Sequence, residues 1–282
     1  MYISKRHIVA VALLLFALSV GVQAQQPAAQ SNQTSPHASL YQIPPRILID
    51  CPTAGTLPRG NYDLVTRVFA DGGAILRTDI GFVDRLQMGI SYGGEQIFSR
   101  VEPTWNPSVE FSIKLRIIDE LQVFPAVAIG FSSQGYGVWS DTFDRYEYKS
   151  RGFYAVMSRS FFLYNWTSSW HLGANYSLEK KVDEDADVNF FLGYDATFQY
   201  NIALLLEYDV ALNDDRSSLP DGSPYPFAGK GRGYLNASLK WLFRDHLQLE
   251  LLLKDILQNR RSLAGEDNTI VRELRLTFTD GF

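Results

Sequence analysis

From residue 61 to its end, the chain alternates apolar and polar residues with a period of two. Across 109–117, Val109, Phe111, Ile113, Leu115 and Ile117 fall on one side, opposite Glu110, Ser112, Lys114 and Arg116. Leu235, Ala237, Leu239, Trp241 and Phe243 oppose Asn236, Ser238 and Lys240 in the same way. So do Leu247, Leu249, Leu251 and Leu253 against Gln248, Glu250 and Lys254. At the end, Leu274, Leu276, Phe278 and Phe282 lie opposite Glu273, Arg275, Thr277 and Thr279. Successive side chains of a strand point to opposite faces, so each run predicts a strand with one greasy and one charged face.

Twelve such runs occur, near 62–69, 74–81, 86–92, 109–118, 123–131, 152–161, 170–178, 188–197, 202–212, 233–243, 247–256 and 271–279. Most have the length that a tilted strand needs to cross a bilayer. The run 152–161 suits either face, and Pro125 would remove a ladder hydrogen bond inside 123–131. Connections alternate in length: 82–85, 119–122, 162–169, 198–201 and 244–246 are brief, and 93–108, 132–151, 179–187, 213–232 and 257–270 are long. The tight turn 70–73 is the exception, since it occupies a long slot. Short turns at one end, long loops at the other and an even strand number describe outer-membrane barrels. An apolar-faced sheet in lipid must also close, because every backbone polar group there needs a partner. The expected fold is all-β: a closed antiparallel transmembrane β-barrel of about twelve strands behind an irregular N-terminal segment.

Such a barrel turns its polar face inward. The expected lumen-facing charges are Asp63, Arg67, Arg77, Asp79, Glu110, Lys114, Arg116, Glu207, Asp209, Lys240, Glu250, Lys254, Glu273 and Arg275. Facing lipid near the midplane, a charge would cost roughly 2–4 kcal/mol. The two signs are equally represented, which suits mutual bracing of a narrow lumen better than an open passage, though both readings stand. Tyr92, Tyr176, Tyr194 and Trp241 lie near strand ends, where aromatic girdles sit; ordinary strand aromatics explain them equally well.

The N-terminus adds an address. Lys5 and Arg6 precede an apolar run from Ile8 to Val22, and Val22-Gln23-Ala24 resembles a cleavage site, so 1–24 is expected to be a signal peptide. Residues 25–60 are expected to be a flexible linker and an extended lead-in carrying Pro44, Pro45, Pro52 and Pro58, with the barrel over 61–282. Residues 41–60 are expected to pack in or beneath the barrel from the periplasmic side. The terminal strand, with Leu274, Leu276, Phe278 and Phe282, resembles the C-terminal signal read by the barrel-assembly machinery, although Asp280 interrupts its apolar face.

Composition agrees with this picture. Aromatic residues make up 13% of the chain, which suits sheet, and the net charge of −5 gives no basic patch for nucleic acid. Cys51 is the only cysteine, so no intrachain disulfide forms, and a small buried filler is its simplest role.

The stretch Asp50-Cys-Pro-Thr-Ala-Gly-Thr-Leu-Pro-Arg-Gly60, leading straight into the first strand, resembles the same region of YjbH-like outer-membrane barrels. The blocks Ile90-Ser-Tyr-Gly-Gly94, Gly130-Phe-Ser-Ser-Gln-Gly-Tyr-Gly137 and Gly233-Tyr-Leu-Asn236 are similar in style to a group of bacterial barrel proteins. The resemblance implies an outer-membrane location and an association with exopolysaccharide export.

Candidate chemistry is sparse. His171 points inward, and a structural bond to a lumen carboxylate is expected of it rather than a hydrolase role. Asp183-Glu-Asp-Ala-Asp187 and Asn213-Asp-Asp215 could offer oxygens to Ca²⁺ but lack calcium-loop spacing. Gly229-Lys-Gly-Arg-Gly233 precedes a strand rather than a helix, so it has no helix N-terminus for phosphate. No catalytic residue, cofactor or metal is expected. The expected partners are outer-membrane lipid, the assembly machinery, and a polar solute such as polysaccharide. The sequence supports passage or export of that solute, a closed structural or adhesion barrel acting through its loops, or, third, a soluble periplasmic ligand-binding barrel.

Overall fold

Fifteen strands pair in the computed structural model, which describes residues 45–163, 166–198, 201–223, 225, 227, 229–243, 246–260 and 270–282. The expected signal peptide and the linker through residue 44 lie outside these residues. In chain order the strands are β1 (Asn61–Phe69), β2 (Gly73–Val83), β3 (Leu86–Glu95), β4 (Thr104–Trp105) and β5 (Glu110–Ile118). Next come β6 (Ala126–Ser132), β7 (Tyr136–Ser140), β8 (Arg145–Tyr148), β9 (Gly152–Leu163) and β10 (Trp166–Tyr176). The last are β11 (Asn189–Phe198), β12 (Ile202–Asp209), β13 (Tyr234–Phe243), β14 (Leu247–Lys254) and β15 (Val271–Gly281).

Twelve of them form one antiparallel ring. Each barrel strand pairs with the next along the chain, and β15 returns to β1 over a register from Asn61↔Gly281 to Val68↔Leu274. The ring therefore has no free edge. Two short elements lie outside it: β4 extends the top of β3, and β7 pairs with β8 as a separate hairpin.

Exposure runs opposite to that of a water-soluble domain. On β5, Phe111 is 59% exposed while Glu110 is 7% and Lys114 5% exposed. Leu239, Leu251, Leu253, Leu274 and Leu276 are likewise exposed, whereas Glu250, Glu273 and Arg275 are buried. The outer wall is an apolar belt and the charged face points into the barrel.

The twelve expected runs correspond to the twelve ring strands, but several ends move. β12 stops at Asp209, before the expected 212, and β14 at Lys254 rather than 256. Left-handed backbone just beyond each strand accounts for both stops: Ala211, two residues past β12 (φ 54°), and Asp255, directly after β14 (φ 53°), adopt conformations that a ladder does not accept. β6 begins at Ala126, leaving Pro125 outside the ladder. β10 begins at Trp166, so the polar Thr167-Ser168-Ser169 is strand where a turn over 162–169 was expected. The β7–β8 hairpin inside the 132–151 loop carried no alternation to announce it.

Candidate functional site

The lumen is occupied by the chain's own residues 45–60. Their prolines hold the backbone extended, and the segment folds back on itself through an Ile47–Pro52 bridge and a Leu48 N–H donated to Cys51 O at 2.9 Å. Both limbs reach the end of the barrel that carries the short turns. Arg46 pairs there with Asp63 at the start of β1, and the Arg59 N–H donates to Asp84 Oδ1 at 2.9 Å in the β2–β3 turn. The tip, 48–51, lies deeper. Leu48, Ile49, Cys51, Ala54 and Leu57 are fully buried.

Apolar and polar contacts share the task of holding this plug. Leu48 and Ile49 pack on Leu205 and Leu252, while Cys51 and Ala54 pack on Ala128, Tyr154, Val156 and Phe191. Two glycines make room: a Cβ on Gly193 would lie 2.0 Å from Leu48 Cδ1, and one on Gly81 would lie 2.2 Å from the Pro58 carbonyl oxygen. At the tip, the N–H groups of Ile49, Asp50 and Cys51 converge on Glu207 Oε2 at 3.1, 2.8 and 2.7 Å. Asn236 donates to the other Glu207 oxygen at 2.8 Å. The Asp50 carboxylate sits between Arg67 and Lys254, each at 2.8 Å. Arg275 donates to the Leu48 and Ile49 carbonyls, and Lys114 to those of Arg46 and Gly55 at 2.6 and 3.0 Å.

The other expected lumen charges fall into place around this core. Arg67 pairs with Glu273 at 2.5 Å, Arg275 with Glu250 at 2.6 Å, and Arg77 with Asp79 on its own strand at 2.6 Å. Lys240 lies 3.7 Å from Glu250, and Asp209 pairs with Arg151. Two are peripheral. Arg116 sits at the short-turn end, 2.9 Å from Asp119, and Glu110 sits at the long-loop end, accepting from Ser108 and the Tyr146 hydroxyl. Arg46, Asp50, Arg151 and Asp195 belong to the network as well. The first three lie outside regular strands, where alternation gives no face; Asp195 had the parity of Phe191 and Gly193 on β11 as its signal. Of the four hydrophobic residues in the proposed assembly signal, Leu274, Leu276 and Phe278 face outward, and Phe282 stacks on Tyr62 at 5.6 Å.

His171 is fully buried, 2.7 Å from Asp195 Oδ1 through Nε2 and 2.8 Å from Ser158 Oγ through Nδ1. A carboxylate only accepts, so Nε2 carries the hydrogen. Ser158 Oγ also accepts the Ala54 N–H at 2.9 Å, so this Ser–His–Asp chain ends on plug backbone.

A second polar knot closes the long-loop end. Arg145, on the β7–β8 hairpin, is buried against Asp214 at 2.7 Å and the Tyr225 hydroxyl at 2.8 Å, and Lys149 holds Asp183 at 2.6 Å. The Tyr234 hydroxyl donates to Asp214 at 2.8 Å. Glu179 accepts the Tyr146 and Ser150 N–H groups, both at 3.0 Å. Burial pushes the Glu179 carboxyl above its ordinary value, and it does the same to Asp255. The acidic loops face cations of the chain itself: besides Lys149 on Asp183, Arg216 lies 3.6 Å from Asp185. Among the described residues, no group of three His, Cys, Asp or Glu side chains has a metal-holding arrangement.

No protein family matches the chain, and neither does any curated protein. Solved porins and an outer membrane channel are among the structures to which the chain is distantly similar. The NanC porin is 10% identical at a TM-score of 0.42, over 78% of this chain and 99% of that one. The KdgM porin is 8% identical at 0.43, over 79% and 99%. The COG4313 outer membrane channel from Pseudomonas putida F1 is 14% identical at 0.43, over 80% and 97%. The closed ring follows from the strand pairing itself.

Proposed function

We propose that this protein is an outer-membrane β-barrel for passage of a polar solute, held shut by residues 45–60. The edge-free ring with an apolar belt supports the membrane location, since water would leave that belt unburied. The carrying observation is the way the lumen is closed. It is filled by a hairpin whose two limbs reach one end, so the plug can leave without unthreading. Beside the packing of Leu48, Ile49, Cys51 and Ala54, it is held by ion pairs and by hydrogen bonds to backbone groups, which water can replace. Small barrels that never open are filled by their own wall side chains; removing this segment would leave a polar-walled bore. The Leu57-Pro58-Arg59-Gly60 lead-in supports a narrower version, a YjbH-like barrel passing a saccharide.

A second reading, a closed scaffold acting through its external loops, is favoured by the buried Arg145 knot over the other end. Planar-bilayer recording separates the two. The full chain should conduct rarely, and a variant lacking 45–60 should give steady pores. Silence from that variant, with heat-modifiable gel migration showing a folded barrel, would favour the scaffold.

A further inference from the structure

A space of about 160 Å³ remains between plug and wall. An engineered cavity of about 150 Å³ accepts a benzene ring, so this one has room for a single six-membered ring, whose substituents would reach beyond it. Seven basic side chains border it against four acidic ones, although the chain as a whole is negative. Most of the basic groups already face a carboxylate, but two wall lysines are under-compensated. Lys114 donates to carbonyls alone and makes no ion pair among the described residues. Lys240 shares its distant partner Glu250 with Arg275, which is closer to the same oxygen.

Lys114 on β5 and Lys240 on β13 are six places apart in either direction round the ring, so they stand on opposite walls of one cavity. Arg46 of the plug borders the same space. The acidic groups nearby are engaged: Asp63 by Arg46 and the Thr279 hydroxyl, Asp79 by both arms of Arg77, Asp195 by His171. Like charges around one void raise its potential, and an anion placed among them lowers it. Thr277 and Gln248 line the same space and can bond hydroxyls.

We propose that this cavity binds a small organic anion, one sugar ring in size and bearing a carboxylate or phosphate, with Lys114, Lys240 and Arg46 as its charge partners. It deepens the passage reading by giving the sign of the solute's charge and its resting place, but the binding can be measured whether or not the barrel conducts. The test is equilibrium dialysis of the full chain, refolded in detergent, against glucuronate, inorganic phosphate, glucose and glucosamine. Saturable binding of glucuronate or phosphate, absent for glucose and glucosamine, is expected; which anion binds tells a carboxylate from a phosphate ligand. Binding should weaken at least tenfold in the Lys114→Gln, Lys240→Gln double variant, and also in the wild type as sodium chloride is raised. The salt series decides the matter by itself if the variant does not fold. Salt-independent binding, equal uptake of glucose, or no uptake of either anion by folded wild type would overturn the proposal. Silent bilayers from the folded variant lacking 45–60, beside intact anion binding by the full chain, would overturn the passage reading alone.

Discussion

Replacing Glu207 with Ala tests the plug at its tightest point. One carboxylate oxygen there accepts three successive backbone N–H groups, from Ile49, Asp50 and Cys51. Residue 207 is 1% exposed, so bulk water does not reach the lost acceptor's place while the plug stays docked. A buried donor left unsatisfied costs about 1–3 kcal/mol. Three of them at the lower bound give about 3 kcal/mol, roughly a hundredfold shift from docked toward released plug. The penalty vanishes once the tip leaves and its amides meet water, so the cost should appear as release rather than global unfolding. Glu207→Gln keeps an acceptor but loses the charge, and charge-assisted bonds are about twice as strong as neutral ones; its effect should be intermediate. Hydrogen exchange in micelles is the assay. The amides of residues 49–51 should lose protection in the order wild type, Gln, Ala, with β1–β15 pairing unchanged. Full protection in the Ala variant would refute a docking that depends on Glu207.

Three further outcomes are expected. Arg145→Ala should expose 133–151 and 210–223 to protease, at a local cost of about 3–5 kcal/mol for stranding buried carboxylates, while the barrel stays heat-modifiable. Glu179 gives a pH dependence with a defined sign: its carboxyl is raised by burial, so its contribution to loop docking is full below its ordinary 4.5 and is lost as pH rises through the higher folded value. Exchange protection of the Tyr146 and Ser150 amides should fall over that window, and Glu179→Gln should flatten the profile. Leu251→Arg, on the outer wall, should destabilise the barrel by about 2–4 kcal/mol in lipid, read by urea titration in vesicles; a neutral result would count against a lipid-facing belt.

The amino-acid sequence by itself determined the wall. A period of two assigns each side chain to a face with no knowledge of its neighbours, so strand number, inward charge and outward Leu and Phe were readable from Tyr62 to Phe282. Local chemistry also marked where strands could not run, as at Pro125. Which charges meet was a matter for the tertiary structure. Arg275 finds Glu250 because β14 and β15 are in register, and Glu207 finds residues 49–51 because closure of the ring brings β12 to a segment more than 150 positions away. The prolines of 45–60 mark an extended chain but give it no face, and Gly193, which admits Leu48, looks in sequence like any strand glycine. Alternation is a property of one strand, whereas a plug depends on the shape left inside twelve, and that shape exists only once the first and last strands have joined.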